Sequence, residues 1–199
     1  MSNKIYKILR DIKDGRPIII VDSMNRENEG DVMIAAEKAT EETLAFFARE
    51  ARGIMCIPTT KVILDRLEIP MSPSNNTDKF STPFTVSVDA RYDISTGVSV
   101  GDRLKTINIF TDDNSIPDQI TYPGHLFPLR CKDNLLKERQ GHTEASVQLC
   151  LLAELKPIAI ISEIMNYNGT MSRLADLEYF AAHWCLNIIS IEEIIEFTK

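Results

Sequence analysis

The sequence predicts one α+β domain, a layered fold in which helices cover a mixed, twisted β-sheet. Its 199 residues are 44% hydrophobic and contain no long Pro, Gly or Ser tract, which suits a single substantial core. Apolar segments of strand length recur between helical patterns. Two neighbouring strand segments have no helix between them, so we expect them to pair antiparallel and the sheet to be mixed.

Each element has its own signal in the chain. Apolar residues at helical spacing, opposite Lys and Arg, predict an amphipathic N-terminal helix. These residues are Ile5, Ile8, Leu9 and Ile12. Capping side chains mark the starts of four later helices, and Ser99 precedes Asp102 in a capping-box arrangement. The four are Thr40, Ser99, Thr143 and Ser172. Strands are predicted at residues 17–22, 31–36, 53–57, 84–88, 126–131, 158–165 and 187–191.

Nothing divides the chain, so we expect residues 1–199 to form one domain. The most loop-like segment, LEIPMSPSNNTDKFSTP at 67–83, is short enough to be an internal excursion. No apolar run approaches the roughly 20 residues of a membrane span, and charges interrupt any signal-peptide core. A net charge of −7 disfavours nucleic acid or a membrane surface as partner. We therefore expect a soluble, cytoplasmic protein.

The four cysteines have no CxxC spacing and lie in apolar surroundings, which favours reduced, packed thiols. They are Cys56, Cys131, Cys150 and Cys185. Cys56 is open to a second interpretation, because its segment RGIMCIP is of the kind that can end at a functional site.

Polar residues interrupt the apolar pattern at three places. NRENEGD, at 25–31, puts four charges between the apolar runs PIIIV and VMIAA. A chain reversal there would bring these charges to one end of the sheet. Glu163 interrupts IAIISEIM. It is either a strand-end residue that reaches solvent or a buried carboxylate that has a charged partner, binds a metal or carries a proton.

The histidines form the third group. His125 in YPGHLF and His142 in QGHTEA are in glycine-containing segments that we interpret as turns, whereas His183 is on a helix and has a packing or surface role. A helix N-terminus favours the neutral imidazole of His142, which can then bind a metal or accept a proton. Arg139 and the N–H groups of the same helix start suit a phosphate. The alternative is an ordinary helix start with a solvated arginine. Carboxylates with one imidazole suit Mg²⁺ or Mn²⁺ better than structural zinc.

Six segments in order resemble the 3,4-dihydroxy-2-butanone 4-phosphate synthase family of riboflavin biosynthesis. They are DSMNRENEGD, STPFTVSVDA, TGVSVGDRLKTI, YPGHLFPLR, RQGHTEASVQL and SEIMNYNGTMSR. The resemblance runs over nearly the whole chain and implies a monofunctional synthase without the GTP cyclohydrolase II domain of some relatives. It implies a lyase that converts D-ribulose 5-phosphate into L-3,4-dihydroxy-2-butanone 4-phosphate and formate, through a metal-stabilised enediolate and a skeletal rearrangement. It also implies a homodimer with active sites near the subunit interface.

The resemblance assigns roles to individual residues. Glu27 and His142 are implied as ligands of Mg²⁺ or Mn²⁺, with Glu27 bridging two ions, and His125 and Glu163 as essential to proton transfer. The implied substrate contacts are Arg26, Glu27, Asp31, Arg139, Gln140, Gly141, His142, Thr143 and Glu163. Asp22, Cys56 and Thr82 are at further motif positions near the site. Glu29 is either a direct participant or a carboxylate that orders the loop.

Three departures from the family pattern concern the site. DSMN replaces the common run DDED and retains only Asp22; Phe80 and Ser81 replace the usual His-Gly; and Pro83 replaces a small residue. DSMN and Pro83 leave open a paralogous metal-dependent sugar-phosphate isomerase or lyase with another substrate. A third hypothesis is a non-catalytic module that binds a sugar phosphate or another metabolite. We also expect the polar segments 23–30 and 72–82 to close over substrate.

Overall fold

The computed structural model describes residues 2–72 and 75–199, which form seven strands and seven α-helices. The strands are β1 (Ile18–Val21), β2 (Gly30–Ala35), β3 (Cys56–Thr59), β4 (Val88–Ala90), β5 (Ile120–Arg130), β6 (Ala159–Glu163) and β7 (Asn187–Ser190). The helices are α1 (Ser2–Lys13), α2 (Glu41–Phe46), α3 (Lys61–Arg66), α4 (Val100–Thr111), α5 (His142–Leu152), α6 (Leu174–Trp184) and α7 (Ile191–Phe197).

All the strands belong to one mixed sheet in the order β4-β5-β3-β6-β2-β1-β7. The two strands that flank NRENEGD, β1 and β2, pair antiparallel, and β2 pairs antiparallel with β6. The pairs β1–β7 and β3–β5 are parallel. The predicted single domain with a mixed sheet is therefore confirmed.

Helices cover both faces of the sheet. Ile19 of β1 belongs to a core cluster that contains Phe47 and Phe110, whereas its neighbours Ile18 and Ile20 belong to the cluster on the opposite face. Strands buried on both sides need apolar residues at consecutive positions, which explains continuous runs such as PIIIV. The predicted apolar face of α1 is confirmed, since its isoleucines pack in the second cluster.

Three predicted strands begin at least three residues away from the observed start. The strand predicted at 53–57 is at Cys56–Thr59. The strand predicted at 84–88 is at Val88–Ala90, and Phe84 and Thr85 make only isolated bridges. The strand predicted at 126–131 begins earlier, at Ile120, so the interpretation of YPGHLF as a turn is wrong and His125 is inside β5. Gly124 explains the error, because a Cβ there would lie 2.1 Å from the Val88 carbonyl carbon. This glycine permits close strand approach.

Helix starts at Thr40 and Ser99 are confirmed, since their hydroxyls accept N–H bonds from Thr43 and Asp102, respectively. The other two starts shift. Helix α5 begins at His142, after Gly141, rather than after Thr143. Helix α6 has Arg173 as its N-cap, because the Ser172 hydroxyl donates to Asn166 instead.

The four cysteines are free thiols, and three are buried as predicted. Cys185 is exposed, so its predicted packing is wrong; it follows the last turn of α6 in the left-handed region, at φ +55°. His183 is exposed and stacks on Tyr179, as its surface interpretation required. Among the described residues, no helix combines the length and apolar character needed to cross a bilayer. The predicted 67–83 excursion and 72–82 closing segment include residues 73 and 74, which are outside the described residues; closure stays a prediction.

Candidate active site

A cavity of about 290 Å³ gathers most of the residues that the sequence singled out. It lies where β2, β3 and β6 meet the segments around Arg26, Phe80 and Arg139. The predicted residues that line it are Arg26, Glu27, Glu29, Asp31, Cys56, Thr82, Arg139, His142, Thr143 and Glu163. Four others, Asp22, His125, Gln140 and Gly141, are not among the residues that line it.

The Asp22 carboxylate holds the loop between β1 and β2 through hydrogen bonds. One carboxylate oxygen accepts hydrogen bonds from Arg26 Nη1 and the backbone N–H of Glu27, each at 2.9 Å, and the other accepts from the N–H of Glu29 at 2.9 Å. Burial raises the pKa of Asp22, but these backbone donors outweigh burial and lower it. The carboxylate thus holds the loop so that the Glu27 and Glu29 side chains face the cavity.

The three positions that lack the family's acids do not line this cavity. Ser23, Met24 and Asn25 are between Asp22 and the cavity-lining part of the loop, and Met24 is 82% exposed. Ser23 and Met24 instead border a separate pocket behind the loop, beside Leu177. The DSMN departure therefore changes the outer side of the loop.

Metal-ligating atoms meet at one corner of the cavity. Asp22, Glu27 and His142 each offer a donor atom within 4.8 Å of the others. His142 Nδ1 lies 3.4 Å from Glu27 Oε2, and the buried Nε2 of His142 has no hydrogen-bond partner among the described residues. Asp22 already accepts three hydrogen bonds, so the imidazole and Glu27 are the better-placed donors. This set of nitrogen and carboxylate oxygen fits a divalent cation such as Mg²⁺ or Mn²⁺.

The electrostatics of His142 correct one expectation. Burial lowers its pKa, but the surrounding carboxylates, led by Asp31 and Glu27, outweigh burial and raise the pKa to about 9. These carboxylates favour the protonated imidazole, opposite to the neutral form expected from the helix N-terminus. A bound cation would take the place of this proton.

Two carboxylates from adjacent strands face each other at the sheet edge of the cavity. Asp31 of β2 and Glu163 of β6 are register partners. Asp31 is 4% exposed, and its Oδ1 has no hydrogen-bond partner among the described residues. Burial raises the pKa of Asp31 to about 7, which suits a group that gains and loses a proton near neutral pH. Glu163 is at the end of its strand, half-buried, and accepts the Ile54 N–H at 2.8 Å.

Two arginines form the cationic side of the cavity. Arg139 donates to Glu144 Oε2 at 2.7 Å, and the Glu144 side chain is completely buried. Arg26 contacts Glu27 Oε2 at 2.9 Å as well as Asp22. A Cβ on Gly141 would lie 2.2 Å from the Arg139 guanidinium and 3.0 Å from that of Arg26. Glycine therefore lets both guanidinium groups approach the start of α5, where an anion is favoured.

Cys56 and Thr82 line the cavity, as their motif positions implied. Burial raises the pKa of Cys56 well above its ordinary value, and the nearby carboxylate of Glu163 adds to this effect.

His125 is elsewhere in the same sheet. Its Nδ1 lies 2.7 Å from Asp89 Oδ2, and its backbone N–H donates to the other oxygen of Asp89 at 3.0 Å. The ring is exposed and well positioned by a buried carboxylate. The sequence placed His125 and Glu163 in one site, but the structure does not bring His125 into the cavity of its own chain.

Sequence reasoning missed two residues that shape the site, Arg173 and Asp78, whereas it singled out Phe80 as a departure from the family pattern. Arg173 donates to the carbonyls of Glu27 and Asn28 and so braces the loop from α6. Asp78 and Phe80 line the cavity from the 75–82 segment. Only the charge of Asp78 and Arg173 was a signal, and exposed charges are too common to be selected by pattern alone.

The family model for 3,4-dihydroxy-2-butanone 4-phosphate synthase matches residues 6–197 of this chain. The chain belongs to that family. A 3,4-dihydroxy-2-butanone 4-phosphate synthase from Shewanella sediminis is 39% identical and is covered over 90% of its length by 98% of this chain. The riboflavin biosynthesis protein RibBA of Salinispora arenicola is 42% identical, again over 98% of this chain.

This member of the synthase family spans less than half of that RibBA protein, namely 46% of its length. Among solved structures, a 3,4-dihydroxy-2-butanone 4-phosphate synthase in complex with two magnesium ions is 35% identical to it, with a TM-score of 0.92. The alignment covers 98% of this chain and 95% of that structure. The fold of this family therefore extends over essentially the whole chain.

Proposed function

We propose that the chain converts D-ribulose 5-phosphate into L-3,4-dihydroxy-2-butanone 4-phosphate and formate, a lyase reaction of riboflavin biosynthesis. One observation supports this most directly: a single cavity combines the His142 and Glu27 donor pair, two carboxylates on adjacent strands, and two arginines. An oxygen-rich sugar phosphate needs each of these groups. The chain's membership of the synthase family indicates which reaction these groups would serve.

The metal site would consist of Glu27 and His142, with Mg²⁺ or Mn²⁺ as the ion. The structural neighbour that holds two magnesium ions supports a site for two ions here, for which Glu27 and His142 would be ligands. When bound, a divalent ion there would polarise the substrate carbonyl and stabilise negative charge on its oxygens.

The remaining side chains would bind the substrate and move protons. Arg139, with Thr143 at the start of α5, would hold the phosphate, and Gln140 and Gly141 would form the backbone of that corner. Asp31 would contact the substrate hydroxyls. Its pKa of about 7 allows it to accept and return a proton, with Glu163 beside it as the second proton carrier. Arg26 would contact the substrate while holding Glu27.

We further propose that the active unit is a homodimer in which His125 serves the site of its partner. The exposed imidazole, fixed by Asp89 yet absent from the cavity of its own chain, supports this arrangement. Two inactive variants would test it. His125→Ala mixed with Glu163→Ala, after joint refolding, should regain up to about a quarter of the parental activity, since one site of each mixed dimer is complete. If the mixture stays as inactive as either variant alone, the shared site is refuted.

Formate release tests the reaction itself. Purified protein with Mg²⁺ and ribulose 5-phosphate should release formate, EDTA should stop the release, and an excess of Mg²⁺ should restore it. Glu27→Gln should lower metal affinity and abolish turnover, whereas Glu154→Gln, at an exposed ion pair with Lys13, serves as the matched control. Rescue of a riboflavin-requiring strain by the parental gene but not by Glu27→Gln would connect the activity to the pathway. Absence of formate above a blank would refute the proposal.

A further inference from the structure

The 75–82 segment reaches the cavity through a self-contained turn. One oxygen of Asp78 accepts hydrogen bonds from the backbone N–H of Phe80 at 3.1 Å, the N–H of Thr82 at 2.8 Å, and the Thr82 hydroxyl at 2.9 Å. Ser81 adopts the left-handed region at φ +53°, which turns the chain sharply after Phe80. This turn gives Phe80 a defined orientation.

Phe80 contacts both arginines of the cavity. The guanidinium carbon of Arg26 lies 5.3 Å from the centre of the Phe80 ring, within the range of a cation–π interaction. The Phe80 carbonyl accepts hydrogen bonds from Arg139 Nε at 3.3 Å and Nη2 at 3.2 Å. One residue thus connects the loop after β1 with the segment before α5, which are over a hundred residues apart in sequence.

These contacts restrain both guanidinium groups. Arg139 is held by Glu144 on one side and the Phe80 carbonyl on the other. Arg26 is held by Asp22 and Glu27 through its Nη1 atom, and the Phe80 ring contacts the guanidinium as well. Fixing both groups before the ligand arrives removes the side-chain entropy that each arginine would otherwise lose on binding.

We propose that Phe80 is a positioning residue for the anionic end of the substrate, acting through Arg26 with its ring and through Arg139 with its carbonyl. The inference rests on the proposed function for the identity of that anion, a sugar phosphate. It gives a role to the aromatic side chain at a position where the family usually has histidine. A phenyl ring remains an uncharged partner for Arg26 at any pH, whereas a protonated imidazole would repel it.

Matched substitutions separate the ring's electronic contact from its bulk. Phe80→Leu keeps an apolar side chain of similar size but removes the aromatic face, and Phe80→Tyr keeps the face. Lys79→Ala is the matched control in the same turn. The Lys79 ammonium also lies near the Phe80 ring, 4.9 Å from its centre, but this side chain is exposed. Binding of inorganic phosphate is measured by calorimetry, and kcat and KM for ribulose 5-phosphate are measured with Mg²⁺.

The Leu variant should bind phosphate about threefold to tenfold more weakly and raise KM by the same factor, with kcat within about twofold of the parent. The Tyr and Lys79→Ala variants should match the parent. Equal phosphate affinity in the Leu variant and the parent, or a loss confined to kcat, would overturn the inference. A parent that binds phosphate yet releases no formate would refute the proposed function while leaving the role of Phe80 intact. A parent that binds no phosphate would overturn that role.

Discussion

The sharpest prediction concerns Asp22, the only acid retained from the family's usual run. Asp22→Asn conserves the size of the side chain but replaces one carboxylate oxygen with an NH₂ group. If the NH₂ faces Arg26 Nη1 and the Glu27 N–H, a donor meets two donors and both hydrogen bonds are lost. The opposite amide orientation loses the bond from the Glu29 N–H, and either orientation removes the negative charge.

The magnitude follows from burial and charge. The Asp22 side chain is 1% exposed and that of Arg26 is 18% exposed, so water replaces little of the lost interaction. Hydrogen bonds to a charged group contribute about 1.5–3 kcal/mol each, so two amount to about 3–6 kcal/mol. Breaking a buried ion pair by removing one partner costs about 3–5 kcal/mol, which agrees. Each 1.4 kcal/mol corresponds to a factor of ten. A loss of about 3 kcal/mol in holding Glu27 towards the cavity therefore corresponds to a decrease in metal affinity of more than about 100-fold.

The assay measures Mn²⁺ affinity by titration and kcat/KM for ribulose 5-phosphate. Asp22→Asn should lower both about 100-fold, while a circular dichroism spectrum shows an intact fold. The double variant Met24→Glu with Asn25→Asp restores two acids of the family pattern and should remain within about twofold of the parent, because those positions do not line the cavity. Unchanged Mn²⁺ affinity in Asp22→Asn, or a tenfold gain in the double variant, would refute the reasoning.

Three further substitutions test other parts of the structure. Gly53→Ala should lower both Tm and kcat, because its Cβ would lie 2.3 Å from the Glu163 carbonyl oxygen and 2.6 Å from its nitrogen; unchanged thermal unfolding would contradict this. Glu144→Gln should raise KM at least tenfold by loosening Arg139, which steady-state kinetics would show. The Ser95 hydroxyl is the chief cause that lowers the pKa of Asp102 from 3.8 to about 2. The stabilisation from this carboxylate is therefore present above its ordinary pKa and is lost as pH falls towards 2. Asp102→Asn should therefore lower Tm at pH 7, and the difference should shrink between about pH 4 and 2; a constant difference across thermal scans would refute the assignment.

The parts of the fold that sequence predicts well are those with local causes. The β1 and β2 strands follow from consecutive apolar residues, and the caps at Thr40 and Ser99 follow from side chains that bond three residues away. The error at His125 has a distant cause. Gly124 is needed because β4 lies close to it. Without knowledge of that contact, a glycine in the sequence is interpreted as a sign of a turn.

The candidate site also has some features with local causes in the sequence and others that depend on the whole fold. Glu27 and His142 are each in a local motif, and the structure brings their side chains together. The structural role of Asp22 depends on the path of the whole loop, which its residue type does not reveal. The contact of Phe80 with Arg26 joins segments that meet only in the folded chain. The charge of His142 is also a property of the assembled site, since three carboxylates converge on it.

The placement of Asp31 and Glu163 on adjacent central strands has a consequence for how the site opens. Their strands, β2 and β6, also contain fully buried Ile34 and Ile160, so the amide protons there should exchange only on global unfolding. Phe80 and Arg26 are on loops whose exchange needs only local opening. Mild denaturant should therefore abolish phosphate affinity while Asp31 and Glu163 still face each other. The cavity would unfold in two stages, and its cationic side would unfold first.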